Sequence, residues 1–255
     1  MKITAFNGSP RGNNGNTHIM VEEFLSGAKE GGAEVENIFL AKKEIKHCLG
    51  CFKCWTKTPG KCIIKDDMEE LMSKFISADI VVFATPLYVD NVTGIMKNFM
   101  DRLVPLADPH FEKDKDGECQ HLKRFEKGPA GIVAISNCGF PEQSHFQVLK
   151  LLFKRIARNM GAEFIAGIYR GGGELLRDPP LILKPLVWKY KRLLRKAGRE
   201  VVENLKLSGK TSAQLDEPII PDDQYIKGAN DNWNKLLSQI ELLPDNPSRT
   251  NLKTV

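Results

Sequence analysis

Apolar positions along the chain fall in short runs that alternate with longer amphipathic stretches. Lys2–Phe6 runs into Gly8-Ser9-Pro10 and reads as a first strand. Thr17 to Lys29 carries Met20, Val21, Phe24, Leu25 and Ala28 at helical spacing. Glu34–Leu40 reads as a second strand. After a cysteine-rich loop, Asp66 or Asp67 is expected to cap a helix bearing Met68, Leu71, Met72, Phe75 and Ile76. Ile80–Ala84 is uninterrupted and apolar, as in strands buried on both faces of a parallel sheet. Gly94–Leu103 predicts a helix, Gly131–Ser136 a fourth strand, Gln143–Met160 a helix and Glu163–Ile168 a fifth strand. The charged segment Ala107–Lys127 shows no clear periodicity and reads as a long loop or excursion.

Alternation of five strands with helices predicts a doubly wound parallel sheet. The flavodoxin-like order 2-1-3-4-5, in a three-layer sandwich, is one of the few allowed topologies. It places a ligand crevice between strands one and three. The unusual loops of this sequence follow those two strands. Beyond Gly171-Gly172-Gly173 the character changes. Leu183–Leu205 forms a long amphipathic helix with Lys184, Lys189, Lys191, Arg192, Arg195, Lys196 and Arg199 on its other face. Ser208–Asp223 reads as a polar linker, Asn230–Leu243 as a short helix around Trp233, and the last dozen residues as disordered. The expected division is 1–170, a ligand-binding domain with a Cys-rich loop at 47–62, and 171–255, a helical basic extension with a polar tail.

A net charge of +5 over 255 residues is mild, and the basic residues are spread, so nucleic acid is not an expected partner. No apolar run reaches membrane-spanning length, and the first residues lack an apolar leader segment. A cytoplasmic location without membrane attachment is the resulting expectation. The basic helix reads first as a solvated surface and second as a docking face for an acidic electron carrier or a nucleotide phosphate.

The loop after strand one, Gly8-Ser9-Pro10-Arg11 followed by Gly15-Asn16-Thr17, combines glycines, side-chain donors, a cation and a helix N-terminus. Those features suit a terminal phosphate. It matches neither the P-loop nor the G-x-G-x-x-G pattern. The loop after strand three, Thr85-Pro86-Leu87-Tyr88 with Asn91 beyond it, puts an apolar body with a polar tip beside the first loop. That suits a planar aromatic ligand. The loop Ser136-Asn137-Cys138-Gly139-Phe140 follows strand four. No side chain stands out as a general acid or base, so no catalytic residue is assigned.

Four of the six cysteines, Cys48, Cys51, Cys54 and Cys62, sit close together. Two residues separate the first three in turn, and seven lead to the last. Thiolates at this spacing can converge on a [4Fe–4S] cluster. Unmetallated thiols and a zinc site remain open on spacing alone; zinc fits least, because structural zinc knuckles usually come from separated segments.

The first loop, with Thr-Pro-Leu-Tyr and then Met96-Lys97-Asn98-Phe99-Met100-Asp101-Arg102, resembles the NADPH-dependent FMN reductase family. The resemblance implies that Ser9, Arg11, Asn16 and Thr17 hold an FMN phosphate. It implies that Pro86, Leu87, Tyr88 and Asn91 border the isoalloxazine, with Asn137 and Gly139 closing its edge. It assigns Lys97, Asp101 and Arg102 to packing or subunit contacts. The cysteine motif between strand two and the next helix resembles that of the iron–sulfur flavoproteins. Those carry FMN and one [4Fe–4S] cluster and assemble so that one subunit's cluster approaches another's flavin. A homodimer or homotetramer follows as an expectation, with a small electron carrier such as ferredoxin as partner and NAD(P)H as a possible donor. The resemblance covers about residues 1–170 and leaves 107–127 and 171–255 unmatched. Two rival readings are a cluster-free NAD(P)H-dependent FMN or quinone reductase and a non-enzymatic flavodoxin-like electron carrier.

Overall fold

The computed structural model describes residues 1–241, which divide into a compact unit over 1–219 and a second unit beginning at Ile220. In the first unit β1 (Lys2–Asn7), β2 (Glu34–Phe39), β3 (Ile80–Pro86), β6 (Gly131–Asn137) and β7 (Glu163–Arg170) form one sheet in the order β2-β1-β3-β6-β7. All neighbours in it are parallel. This is the flavodoxin-like order expected from the sequence. Every residue of β3 and β6 is buried, which explains why both read as unbroken apolar runs.

Two cores flank the sheet. On one side α1 (Asn16–Glu30) and α6 (Lys184–Asn204) bury Met20, Phe24, Leu194, Ala197 and Val201 against Ile3, Val82 and Val133. On the other, α3 (Met68–Ser77), α4 (Gly94–Asp101) and α5 (Gln147–Asn159) enclose Phe6, Phe75, Phe83, Phe99 and Phe153. Between Phe39 and α3 lies one further turn of helix, α2 (Lys53–Thr56), inside the cysteine loop.

Helix α6 is therefore the second helix of its layer. It crosses α1 where Gly27 and Gly198 face each other's backbone. A Cβ on Gly27 would come within 3.0 Å of the Arg195 carbonyl, and one on Gly198 within 3.0 Å of the Phe24 carbonyl. The compact division thus falls at 219/220 rather than at 170/171. The basic face of α6 is partly neutralised within the fold. Arg195 pairs with Glu23 at 2.5 Å, Arg199 with Glu30, and Lys196 with Glu200 at 3.5 Å.

Three expectations need correction. Residues 107–123 are not a loop: β4 (Ala107–Lys113) and β5 (Cys119–Lys123) pair as an antiparallel hairpin. Its turn is held from α5, where Arg158 donates to Asp114 at 2.7 and 2.9 Å. The polar stretch after Ser208 is not all linker. Ser208 accepts from the Thr211 N–H and caps α7 (Gly209–Asp216), which buries Thr211 and Leu215. In the second unit, the helix around Trp233 is longer than expected, α8 (Asp222–Glu241). The expectation of disorder in the last dozen residues lies outside the described residues. No helix among the described residues is long and apolar enough to cross a membrane.

Candidate functional site

Loops at the carboxyl ends of β1, β3, β6 and β7 meet on one edge of the sheet, at the switch point where ligands bind in such folds. The first loop is anchored at its start. Gly8 N–H donates to Ala84 O at 2.8 Å, and Thr93 Oγ1 donates to Gly8 O at 2.7 Å while its hydroxyl also caps α4. Gly12 has φ +52°, a left-handed conformation suited to glycine. The chain then turns through Gly12–Asn14 into α1.

Helix α1 begins without a side-chain cap, and no acidic residue stands in its first turn. Its N-terminal dipole is left facing the loop, a favourable place for an anion. Ser9, Asn16 and Thr17 are all buried there. The Ser9 hydroxyl accepts from the Arg11 N–H at 3.3 Å. Thr17 is the second residue of α1. Its hydroxyl accepts from Asn137 Nδ2 at 2.7 Å and ties the first loop to the end of β6. Asn7 Nδ2 and Asn16 Oδ1 are buried without hydrogen-bond partners. Arg11 is half exposed and sits 3.7 Å from Glu174.

The second loop leaves β3 through Pro86. Leu87 N–H donates to Asn137 O at 2.8 Å, so the loops after β3 and β6 are joined. Tyr88 and Asn91 exchange backbone hydrogen bonds at 3.0 and 3.1 Å around a two-residue tip. That tip, Val89 and Asp90, has φ of +48° and +57°. Two consecutive left-handed non-glycine residues, one of them β-branched, carry strain of the sort concentrated at ligand clamps. Tyr88 is 47% exposed and Val89 97%, so the tip is not held by core packing.

The third loop holds Asn137 and Gly139, with Gly139 exposed. It is latched by the glycine run after β7, which reads from sequence only as a boundary. Gly172 and Gly173 N–H groups donate to Phe140 O and Cys138 O, each at 2.8 Å. A Cβ on Gly171 would strike the Pro141 carbonyl. Arg177, just beyond, donates to Asn13 O at 3.0 Å and Gly15 O at 3.2 Å and braces the first loop from outside. The usable signal was three consecutive glycines directly after the last strand. Cys138 is buried, and burial pushes its thiol up to about 11, which leaves it inert.

The cysteine loop forms a second centre. Gly50, Phe52 and Gly60 take left-handed conformations that wrap the chain around it. Phe52 stacks on Trp55, whose indole donates to Val104 O at 3.1 Å. Cys48, Cys51, Cys54 and Cys62 all line one cavity of about 310 Å³, together with Ile63, Ile64 and Arg102. Cys48 and Cys51 are exposed; Cys54 and Cys62 are half-buried. Burial, and then the neighbouring Cys62, Cys51 and Cys48 sulfurs, raise the Cys54 thiol above its usual value. Among the described residues no three His, Cys, Asp or Glu side chains converge closely enough to hold a single metal ion.

The loop is stapled to the fold by Arg102, which the resemblance assigned to packing or subunit contacts, and Asp66, one of the two expected helix caps. Arg102, at the end of α4, and Asp66 are both buried and pair in a fork, Nη1 to Oδ2 at 2.6 Å and Nη2 to Oδ1 at 3.0 Å. Asp66 also accepts from the Lys46 N–H at 2.9 Å and the Met68 N–H at 3.2 Å. Burial alone would raise the Asp66 pKa. The Arg102 and backbone hydrogen bonds outweigh it and hold the carboxyl below its usual range.

Residues 1–165 match the family profile described as NADPH-dependent FMN reductase. The chain belongs to that family. An iron–sulfur flavoprotein of Methanocaldococcus jannaschii is 42% identical over 106 residues, 42% of this chain and 53% of that protein. One of Archaeoglobus fulgidus is 35% identical over 143 residues, 56% of this chain and 58% of that protein. The chain thus spans little more than half the length of these curated relatives. Among solved structures, an FMN-dependent NADH-azoreductase from Bacillus anthracis in complex with FMN superposes with a TM-score of 0.56 at 19% identity. It covers 81% of this chain and 99% of that one. An NAD(P)H:quinone oxidoreductase from Methanothermobacter marburgensis gives 0.57 at 14% identity, covering 79% and 96%. At such identities these structures speak for the fold alone.

Proposed function

We propose that this protein is an FMN-dependent oxidoreductase that passes electrons between its flavin and a [4Fe–4S] cluster held by Cys48, Cys51, Cys54 and Cys62. The observation that carries the reading is the shared cavity of the four thiols, which nonetheless do not converge on one point. A single zinc ion needs its sulfurs about 2.3 Å from one centre. A four-iron cluster takes each thiolate on a different iron and accepts a wider spread. The family membership and the names of the relatives support the same reading.

FMN supplies two-electron storage when bound, and the cluster supplies single-electron steps. The residues of this chain bind and orient. Ser9, Asn16 and Thr17, with the open N-terminus of α1, take the phosphate. Arg11 is the half-exposed cation at its rim, 3.7 Å from Glu174. Pro86, Leu87, Tyr88 and Asn91 line one side of the ring, and Asn137 and Gly139 lie at its edge. The buried partnerless amide N–H of Asn7 fits a loop that reorganises slightly around an anion. NAD(P)H as reductant and assembly into homo-oligomers belong to the same proposal.

Anaerobic purification followed by assay of FMN, iron and acid-labile sulfide tests this. About one FMN with about four iron and four sulfide per chain is expected. One FMN with negligible iron after anaerobic reconstitution would discard the cluster. The chain would then read as a cluster-free NAD(P)H-dependent reductase.

A further inference from the structure

Arg102 stands between the cysteine loop and α4 and is among the largest wholly buried side chains of the protein. Both of its Nη atoms are committed, to the Asp66 carboxylate and, at 2.8 Å, to Lys46 O. Its Nε is buried and has no hydrogen-bond partner. The side chain also forms part of the wall of the cavity that the four cysteines line. Cys62 is its neighbour there. Burial works against the Arg102 charge, but Asp66 and the nearby Cys62 sulfur outweigh it and hold the guanidinium pKa above its usual value.

A buried donor left unmet is costly, and a guanidinium held rigidly by two other bonds cannot turn to satisfy it elsewhere. A thiolate is the acceptor at hand. Hydrogen bonds to ligating sulfurs stabilise the more negative, reduced state of an iron–sulfur centre and raise its potential. A guanidinium already paired to a carboxylate performs this without leaving a net positive charge in the interior.

We propose that Arg102 is a positioning residue for the cysteine-lined site, whose Nε–H donates to the Cys62 sulfur once that sulfur ligates iron, fixing the ligand and raising the reduction potential of the centre. The proposal rests on the cluster reading above and adds a residue that the cysteine motif does not contain. Asp66 holds the guanidinium in the required orientation. Sequence spacing cannot reveal this, because Cys62, Asp66 and Arg102 come from two separate segments.

The test is redox titration of the anaerobically purified full chain, followed by the electron paramagnetic resonance signal of the reduced cluster, alongside iron and sulfide assay. Arg102→Lys keeps the charge but removes the fork and the Nε donor. It is expected to retain iron and sulfide while the one-electron equilibrium shifts about tenfold toward the oxidised form, which is 59 mV. Asp66→Asn keeps one acceptor oxygen to seat the guanidinium but removes the neutralising charge, so the potential of the centre is expected to move upward. Opposite shifts mark a donor acting on the sulfur, whereas a loosened loop moves both variants the same way. Wild-type potential in an iron-replete R102K overturns the role of Arg102 and leaves the cluster reading intact. If R102K does not fold, an unchanged or lowered potential in D66N overturns it instead. Wild-type protein without iron after reconstitution removes both.

Discussion

Replacing Gly15 by Ala puts a methyl group where Ser9 already stands. A Cβ on Gly15 would come within 3.0 Å of Ser9 Oγ, with Gly12 O and Ser9 Cβ each at 3.3 Å. The backbone at Gly15 is extended, φ −87° and ψ 147°, so Ala adopts it without strain. Loss of glycine's flexibility in the unfolded chain contributes about 0.4–1 kcal/mol of stability. Ala at a helix N-cap costs a similar amount relative to Gly, and these two effects nearly cancel. What remains is displacement of the Ser9 hydroxyl from its bond with Arg11 N–H, about 1 kcal/mol. The melting temperature should fall by only about 2–4 °C. FMN binding should suffer more. A hydroxyl hydrogen bond to a charged phosphate is worth about 1.5–3 kcal/mol. The dissociation constant should therefore rise about 10- to 100-fold. Titration of apoprotein with FMN, followed by quenching of flavin fluorescence, measures this. Ser9→Ala should show a comparable loss, and Gly15→Ala in that background should add little, since the clashing oxygen is gone. Losses that simply add would show that Gly15 acts through something other than Ser9. Wild-type affinity in G15A would remove Ser9 from the phosphate site.

Other substitutions probe the frame around the site. Thr17→Val deletes the acceptor of the Asn137 Nδ2 bond in a buried setting and should cost about 1–3 kcal/mol, whereas Thr17→Ser should not; equal melting temperatures for the two variants would refute the tie. Gly27→Ala forces α1 and α6 apart at their closest approach and should destabilise by at least about 1–3 kcal/mol in chemical denaturation, with an unchanged midpoint counting against α6 as part of the core. The depressed pKa of Asp66 contributes stability that is present above the usual carboxylate value of 3.8 and is lost as pH falls through the lower folded value. Asp66→Asn should therefore be less stable at neutral pH, by about 3 kcal/mol, yet show a shallower decline on acidification; parallel acid limbs would show that Asp66 does not drive the acid response.

How much of this was legible along the chain depended on where each element finds its partners. The strands β1, β3 and β6 are buried on both faces, so their apolar runs declare them locally, and sheet order follows from right-handed crossovers. The glycine, serine and asparagine pattern before α1 and the spacing of the four cysteines are likewise local signals. Hairpin β4–β5 escapes such reading because most of its side chains face water and its turn is fastened by Arg158 of a helix far along the chain. The amphipathic stripe of α6 announces a helix, but nothing in it names α1 as its neighbour. Only the glycine crossing in the folded chain makes it part of the core. The buried fork between Asp66 and Arg102 bridges 36 positions, and the bond from Asn137 to Thr17 bridges 120. Composition and periodicity report which face of an element is apolar. Pairings between distant polar groups arise only when the sheet order brings their loops to one edge, where burial requires each donor to find an acceptor.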